Sequence, residues 1–193
     1  MWRAFVLGWS LALSLLAAFP AFAWGDDGHK IVCEIAYRNV TPAAKSAIDH
    51  LIQADGQFAT FPDSCPLADH LNGDPAYEPM PSWHFLNMRP GDPTVDKADC
   101  DPVKHCVLYA IDHFLAELED KKLSEKKRAQ ALEFLAHFVA DVHQPLHVSF
   151  AADRGGNDIH VLWLFGEQTN LHSIWDFIAI QTEEREQWPE LPE

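Results

Sequence analysis

The run HFVADVHQPLH sets His137 and Asp141 four residues apart, the spacing that puts two side chains on one face of a helix. Neutral imidazole nitrogen and carboxylate oxygen are ligands that zinc accepts, so such a pair is half of a metal site. Pro145 then turns the chain and His147 returns toward the same region. A lone histidine here would read as a satisfied core residue. An aspartate beside it on an otherwise apolar face does not, because an unpaired buried carboxylate is too costly to leave. NLHSIWD repeats the pattern with His172 and Asp176, although Asp176 read alone fits a cap or a surface position as well. The third candidate is WGDDGH. Were the chain cut before Trp24, the freed α-amino group, with an ordinary pKa of about 7.7–8.0, and the Trp24 carbonyl could together chelate a metal. His29 stands a short loop away, but spacing alone reads this segment as a frayed terminus.

Asp69 in CPLADH and His84 in PSWHFLN are further ligand candidates that spacing does not single out. His143, beside the ligand helix, reads as orienting a ligand rather than binding metal. His50, His70, His105, His113 and His160 fit no spacing with a partner and read as surface or structural.

These residues need elements to carry them. Residues 28–39 read as a short amphipathic helix with Ile31, Ile35 and Ala36 on its apolar face. Thr41 and Pro42 cap and open a second helix through Ile52. Residues 56–102 hold most of the prolines and read as a long irregular loop with at most short helices, which in a compact domain is functional or stapled down. An apolar stripe from Val107 to Leu118 predicts a helix over 103–118. Ser124 caps another through Val142, with Leu132, Leu135, Phe138 and Val139 facing the core. The pair Gly155-Gly156 allows close backbone approach, with Asn157 as a polar contact, and opens an extended arm, IHVLWLF. A last helix spans about 170–181. No repeat or linker interrupts the chain, which predicts one domain of mainly α class.

Composition narrows the chemistry. At 48% hydrophobic and 22% charged residues, the chain is an ordinary globular one. Its net charge of −15 excludes nucleic-acid binding by a basic patch alone, whereas 11 His against 14 Lys and Arg point to metal. Residues 1–23 read as a cleaved secretory signal: Arg3, an apolar stretch, then Ala21-Phe22-Ala23 as an A-x-A cleavage site. Pro20 interrupts the apolar stretch, and a spanning helix needs roughly 20 apolar residues. The domain is then 24–193, exported to the periplasm or the medium, with no stable membrane association expected. Four cysteines in an exported chain read as two disulfides with three possible connectivities. Closing the short loop between Cys100 and Cys106 leaves Cys33 with Cys65. Nucleophile-elbow, phosphate-loop and dinucleotide motifs are absent from the sequence.

In this order, WGDDGH, LADH, SWHFLN, HFVADVHQPLHV, GGNDIHV and NLHSIWD resemble the trinuclear-zinc, single-strand-specific nucleases. These are the type I nucleases of the S-one, P-one and mung bean kind, related to the zinc phospholipases C. The resemblance runs from Trp24 to about Phe177. It implies a mainly α, single helical domain of the phospholipase C/P-one nuclease type with a trinuclear zinc cleft. By matching position, one Zn2+ falls to Asp69, His84, His137 and Asp141, and a second to His147, His172 and Asp176. The third falls to the amine and carbonyl of Trp24, to His29, and to Asp141 reaching across from the first. Asp69 and Asp141 take catalytic roles through the metals; Phe85 stacks a base, which plain core packing would explain equally well, and Asn87 reaches the base edge.

The implied activity is endonucleolytic hydrolysis of single-stranded DNA and RNA, with 3′-nucleotidase activity and 5′-phosphate products, by a monomer. Three zinc ions bring a formal +6 against three aspartates, so metal rather than Lys or Arg would attract phosphate. A zinc phospholipase C, or a truncated inactive zinc-binding relative, are the alternatives. Two departures stand out. Asn72 occupies a position where the family often has an arginine, which Arg89 or Arg154 could replace. The chain also stops soon after Asp176, where family members continue through further helices.

Overall fold

The computed structural model describes residues 24–187 other than 72, 78, 79, 90, 93 and 104, without the side chains of 165 and 184–187. The expected leader at 1–23 and Asn72 lie outside the described residues. Among the described residues, eight α-helical segments carry the domain. Helix α1 (Asp26–Asn39) leads to α2 (Pro42–Asp55), whose N-cap Thr41 accepts a hydrogen bond from the Ala44 amide and which ends at Gly56 in a left-handed cap, φ 73°. The proline-rich stretch forms short turns: α3 (Phe61–Ser64), α4 (Leu67–His70) and a 3-10 turn at Met80–His84. It also contributes a strand that its composition does not announce, β1 (Leu86–Met88). The long hairpin of α5 (Val107–Glu119) and α6 (Glu125–Asp141) follows, with Ser124 capping α6 through the Lys127 amide.

Helix α6 is the axis of the fold. Its Ala131, Phe134 and Phe138 pack with Val107, Ala110 and Phe114 of α5, and with Ala68, Met80 and Leu86 from the irregular stretch. Its Ala129 and Leu132 close a second cluster with Cys33 of α1, Leu51 and Ile52 of α2, Phe61 and Cys65. A helix covered on most sides can bury polar groups only where they find partners, and its buried His137, Asp141 and Glu133 pose that problem.

After α6, a 3-10 turn (Pro145–His147) leads into β2 (Val148–Phe150), which pairs in parallel with β1, Leu86 opposite Val148 and Asn87 opposite Ser149. The extended arm is a hairpin, β3 (His160–Leu162) against β4 (Gln168–Asn170). The last helix is composite: α7 (Leu171–Ser173), a π turn (Ile174–Ile178) and α8 (Ala179–Gln187), opened by Asn170 accepting from the Ser173 amide.

The structure corrects three details of the sequence reading. Ile31 and Ile35 are exposed; α1 turns Gly28, His29 and Cys33 inward instead, because a disulfide and a buried imidazole fix its orientation. Val139 lies at the surface. Helix α5 starts at Val107, since the Cys100–Cys106 bridge and His105, at φ 64°, hold the preceding residues in a turn. The other bridge joins Cys33 to Cys65, so both pairings are those expected. Among the described residues, no helix is long and apolar enough to cross a membrane.

Candidate metal centre

His137 and Asp141 leave one face of α6 in its last turns, both fully buried. The Cys33–Cys65 bridge ties two other elements to that face. His29 lies one turn before Cys33 on α1, and Asp69 lies on α4 just after Cys65. The parallel β1–β2 pairing brings together the chain on either side, so that His84, which ends its 3-10 turn, and His147 enter from one direction.

The ligand atoms converge. His84 Nδ1 is 3.0 Å from His137 Nε2 and 3.1 Å from Asp141 Oδ2, and His137 Nε2 is 3.4 Å from that same oxygen. Asp69 Oδ1 lies 3.6 Å from His84 Nδ1 and 3.8 Å from His137 Nε2. A tetrahedron with bonds of roughly 2.0–2.1 Å has edges of about 3.3 Å, so these are separations of ligands around one zinc-sized ion. Asp141 turns its other oxygen to His29 Nε2, 3.3 Å away. His172 Nε2 is 3.2 Å from Asp176 Oδ2, and the His147 ring stacks on His172. Among the described residues, three buried groups could thus hold a metal ion: His29, His137 and Asp141; Asp69, His84 and His137; His147, His172 and Asp176.

His29 meets Asp141 here, the carboxylate with which the resemblance placed it, and His137 lies within the same group. Trp24 is anchored beside the centre. Its indole Nε1 donates to the Ala140 carbonyl at 3.0 Å, and the Gly25 amide donates to the Asp176 carbonyl at 2.8 Å. A Cβ at Gly28 would come within 2.9 Å of Trp24 Cβ, so glycine allows this docking.

Backbone carbonyls set the imidazoles. His137 Nδ1 donates to Cys65 O at 2.7 Å, His147 Nδ1 to His84 O at 2.7 Å, and His172 Nδ1 to Gly155 O at 2.6 Å. Each bond leaves Nε2 as the lone-pair nitrogen, the tautomer a metal needs. At Gly155, φ is 61° and a Cβ would sit 2.5 Å from the Leu146 carbonyl, so no other residue could present that oxygen there. Sequence reasoning missed Gln144. Its buried amide donates to Asp176 Oδ1 and accepts from the Leu146 amide, both at 2.6 Å. His143, expected to orient a ligand, is exposed and donates to Val139 O instead.

The electrostatics are those of a centre short of positive charge. Burial pushes the Asp176 carboxyl up to about 9, against the Gln144 amide. Burial also pushes Asp69 up to about 6, with His84 opposing and the Asp141 charge adding. Burial holds His137 well below its usual range, and His147 down to about 4, so both imidazoles are neutral near pH 7. Burial alone would raise Asp141, but His137, His29 and His84 around it hold it well below the usual carboxylate range. Burial lowers His29, and the hydrogen bond and charge of Asp141 outweigh it, leaving the pKa raised. Among the described residues, His29 Nδ1, Asp69 Oδ1, His84 Nε2 and His147 Nε2 are buried without a hydrogen-bond partner. Such atoms are rare unless an ion or water completes them, and neutral imidazoles with uncompensated carboxylates form a donor set that fits zinc.

Among the described residues, two cavities reach these groups. One, of about 410 Å3, touches Asp69, Asp176, Asp26 and Asp27. The other, of about 240 Å3, is lined by His84, Phe85, Asn87, His147, Arg154 and Asn157, among others. Phe85 is 40% exposed, so its ring is a wall of the cavity and not core filling. Asn157 donates its amide to the Arg154 carbonyl.

Fold and site together define a helical protein with buried His/Asp groups that could hold metal ions, beside cavities that open to solvent. The chain belongs to the S1/P1 nuclease family, whose sequence profile matches residues 24–192. It is 34% identical to Endonuclease 2 of Arabidopsis thaliana over 181 residues, covering 88% of this chain and 60% of the relative. It is also 34% identical to Nuclease P1 of Penicillium citrinum over 157 residues (79% and 57%) and 30% identical to Nuclease S1 of Aspergillus oryzae over 168 (86% and 57%). The chain spans about three-fifths of the length of the curated relatives it matches.

Proposed function

We propose that this chain is a zinc-dependent phosphodiesterase. It hydrolyses single-stranded DNA and RNA as an endonuclease, leaving 5′-phosphate ends, and releases inorganic phosphate from 3′-nucleotides. The observation that carries the reading is the convergence of Asp69, His84, His137 and Asp141 at the edge lengths of a zinc tetrahedron, in a centre whose buried carboxylates no Lys or Arg compensates. Family membership and the names of the relatives point the same way.

In this reading three Zn2+ are held: by Asp69, His84, His137 and Asp141; by His147, His172 and Asp176; and by His29, Asp141 and the Trp24 amine and carbonyl. Bound zinc supplies Lewis-acid stabilisation of phosphoryl charge and activation of water at neutral pH. Asp69 and Asp141 serve the reaction by holding that charge in place. The protein orients it: carbonyls of Cys65, His84 and Gly155 hold three imidazoles in one tautomer, and Gln144 holds Asp176. The Phe85 face stacks a base, worth ~1–3 kcal/mol, and only a base free of its duplex can use it. Asn87 meets the base edge, and Asn157, which lines the same cavity, supplies a further polar contact to the substrate. Residues 1–23 act as the secretory leader whose removal frees Trp24; the mature monomer works in the periplasm or the medium, and the two disulfides favour such an oxidising location.

The deciding experiment is hydrolysis of denatured DNA by protein beginning at Trp24, as purified, after zinc stripping and after zinc restoration. Release of 5′-nucleotides that is lost and regained with zinc is expected. Full turnover without zinc would overturn the reading, and turnover of phosphatidylcholine in place of DNA would make the protein a phospholipase C.

A further inference from the structure

We infer that Arg154 is the cleft's phosphate-binding residue, its guanidinium gripping a phosphodiester of the strand whose base lies on Phe85. The inference rests on the function proposed above and adds a residue to it. Among the described residues, Arg154 is the only Lys or Arg lining either cavity that reaches the metal centre; the wall around it holds Phe85, Asn87, His147 and His172. Arg89 is ruled out as the cation by its own contacts. Its Nε lies 3.0 Å from Asp92 and its Nη2 3.2 Å from Asp99, whose side chain is buried. Among the described residues, the Arg154 guanidinium has one ion-pair partner, Asp158, at 3.5 Å, and both side chains are more than half exposed. Such a pair is weak in water and yields readily to a dianionic or bridging phosphate, which a guanidinium can meet with two parallel N–H bonds.

The backbone makes the same point. Arg154 sits in the left-handed region at φ 54°, immediately before Gly155 and Gly156, which share it at 61° and 81°. Glycine or asparagine adopts that conformation at least cost, and a long charged side chain gains nothing from it locally. The turn is nevertheless fixed: the Arg154 amide donates to Ala151 O, and its carbonyl accepts from the amide and the side chain of Asn157. Next in the chain, the Gly155 carbonyl holds His172. The guanidinium is therefore carried on a rigid mount one residue from a metal-ligand support. A strained position occupied by the one cation of an otherwise uncharged or acidic cleft is explained by what that cation holds.

The test compares wild type with Arg154→Asn and Arg154→Lys, all zinc-loaded. Arg154→Asn should unfold at the same temperature or higher, since asparagine suits the backbone, and should retain its zinc. Its KM for a single-stranded oligonucleotide should rise about tenfold, the loss of one charged hydrogen-bonded contact, with kcat changing less. The slope of log kcat/KM against log salt should flatten by about 0.7, one counterion fewer on a single strand. Arg154→Lys should keep the slope and show an intermediate KM. A purely structural arginine would move neither the slope nor the KM in a protein of unchanged stability, and that result overturns the inference. Anisotropy of a labelled phosphorothioate oligothymidylate separates the two proposals. If wild type binds it but leaves the matching phosphodiester oligothymidylate uncleaved, the nuclease reading falls, while weaker binding by Arg154→Asn still upholds Arg154. If wild type does not bind, or both bind equally, Arg154 has no such role.

Discussion

Replacing Gln144 tests whether the centre depends on groups that never touch a metal. Its amide lies between two demands: Nε2 donates to Asp176 Oδ1 and Oε1 accepts from the Leu146 amide at the start of the His147 turn, both at 2.6 Å and out of water. Gln144→Leu removes both bonds, whereas Gln144→Glu keeps an acceptor for Leu146 and turns a second carboxylate toward Asp176. A hydrogen bond to a charged group contributes roughly 1.5–3 kcal/mol, and loss of such outer support typically costs about 10–100-fold in metal affinity. One zinc, that held by His147, His172 and Asp176, should therefore pass to a chelator at 10–100-fold lower competitor strength. The rest should be retained, which makes the readout a stoichiometry step in a chelator titration followed by elemental analysis. Loss in Gln144→Leu but not in Gln144→Glu would assign the effect to the turn and refute the argument from the Asp176 bond. Wild-type zinc retention in both would refute the whole chain of reasoning.

Glu133 supplies a test through pH. It is fully buried on α6, among the described residues neither oxygen has a hydrogen-bond partner, and burial, with the Asp55 charge adding and Lys126 opposing, pushes its carboxyl from 4.5 up to about 8. A raised carboxyl binds its proton better folded than unfolded, so its contribution is complete below about pH 4.5 and is lost as pH rises toward 8. Relative to Glu133→Gln, wild type should lose on the order of 2–3 kcal/mol of urea stability between pH 5 and 7.5, and a pH-independent difference would refute it. Adding one residue before Trp24 of the processed chain replaces an amine by an amide; one zinc should bind more weakly while the others stay, and unchanged stoichiometry would count against the terminal chelate.

The parts of the centre legible in the sequence are those set by the helical period. His137 with Asp141, and His172 with Asp176, lie on common faces whatever the rest of the chain does. The second pair lies partly in a π turn, yet its separation survives at 3.2 Å. Asp69, His84 and His29 reach the same point through long-range events, a disulfide and a parallel strand pair, that leave no local pattern; spacing offers them as bare candidates, and only the resemblance allots them to particular metal ions. Gln144 is hidden for another reason: nothing in HQPLH marks the glutamine as buried between a carboxylate and an amide. The outward turn of Ile31 and Ile35 shows how a periodic stripe misleads when covalent and polar ties on the opposite face, at Cys33 and His29, decide which side goes in.

The Cys33–Cys65 bridge has a consequence beyond stapling. The carbonyl that fixes His137 belongs to Cys65, and the other half-cystine lies one helical turn from His29. Oxidation of the thiols and occupancy of the centre therefore draw on one arrangement, and equilibria that share an arrangement are reciprocal. Whatever factor the closed bridge adds to cation affinity, the bound cation adds to the bridge's resistance to reducing thiols. A chain meeting its metal before its oxidant, or its oxidant before its metal, arrives at the same state, each event having made the other easier.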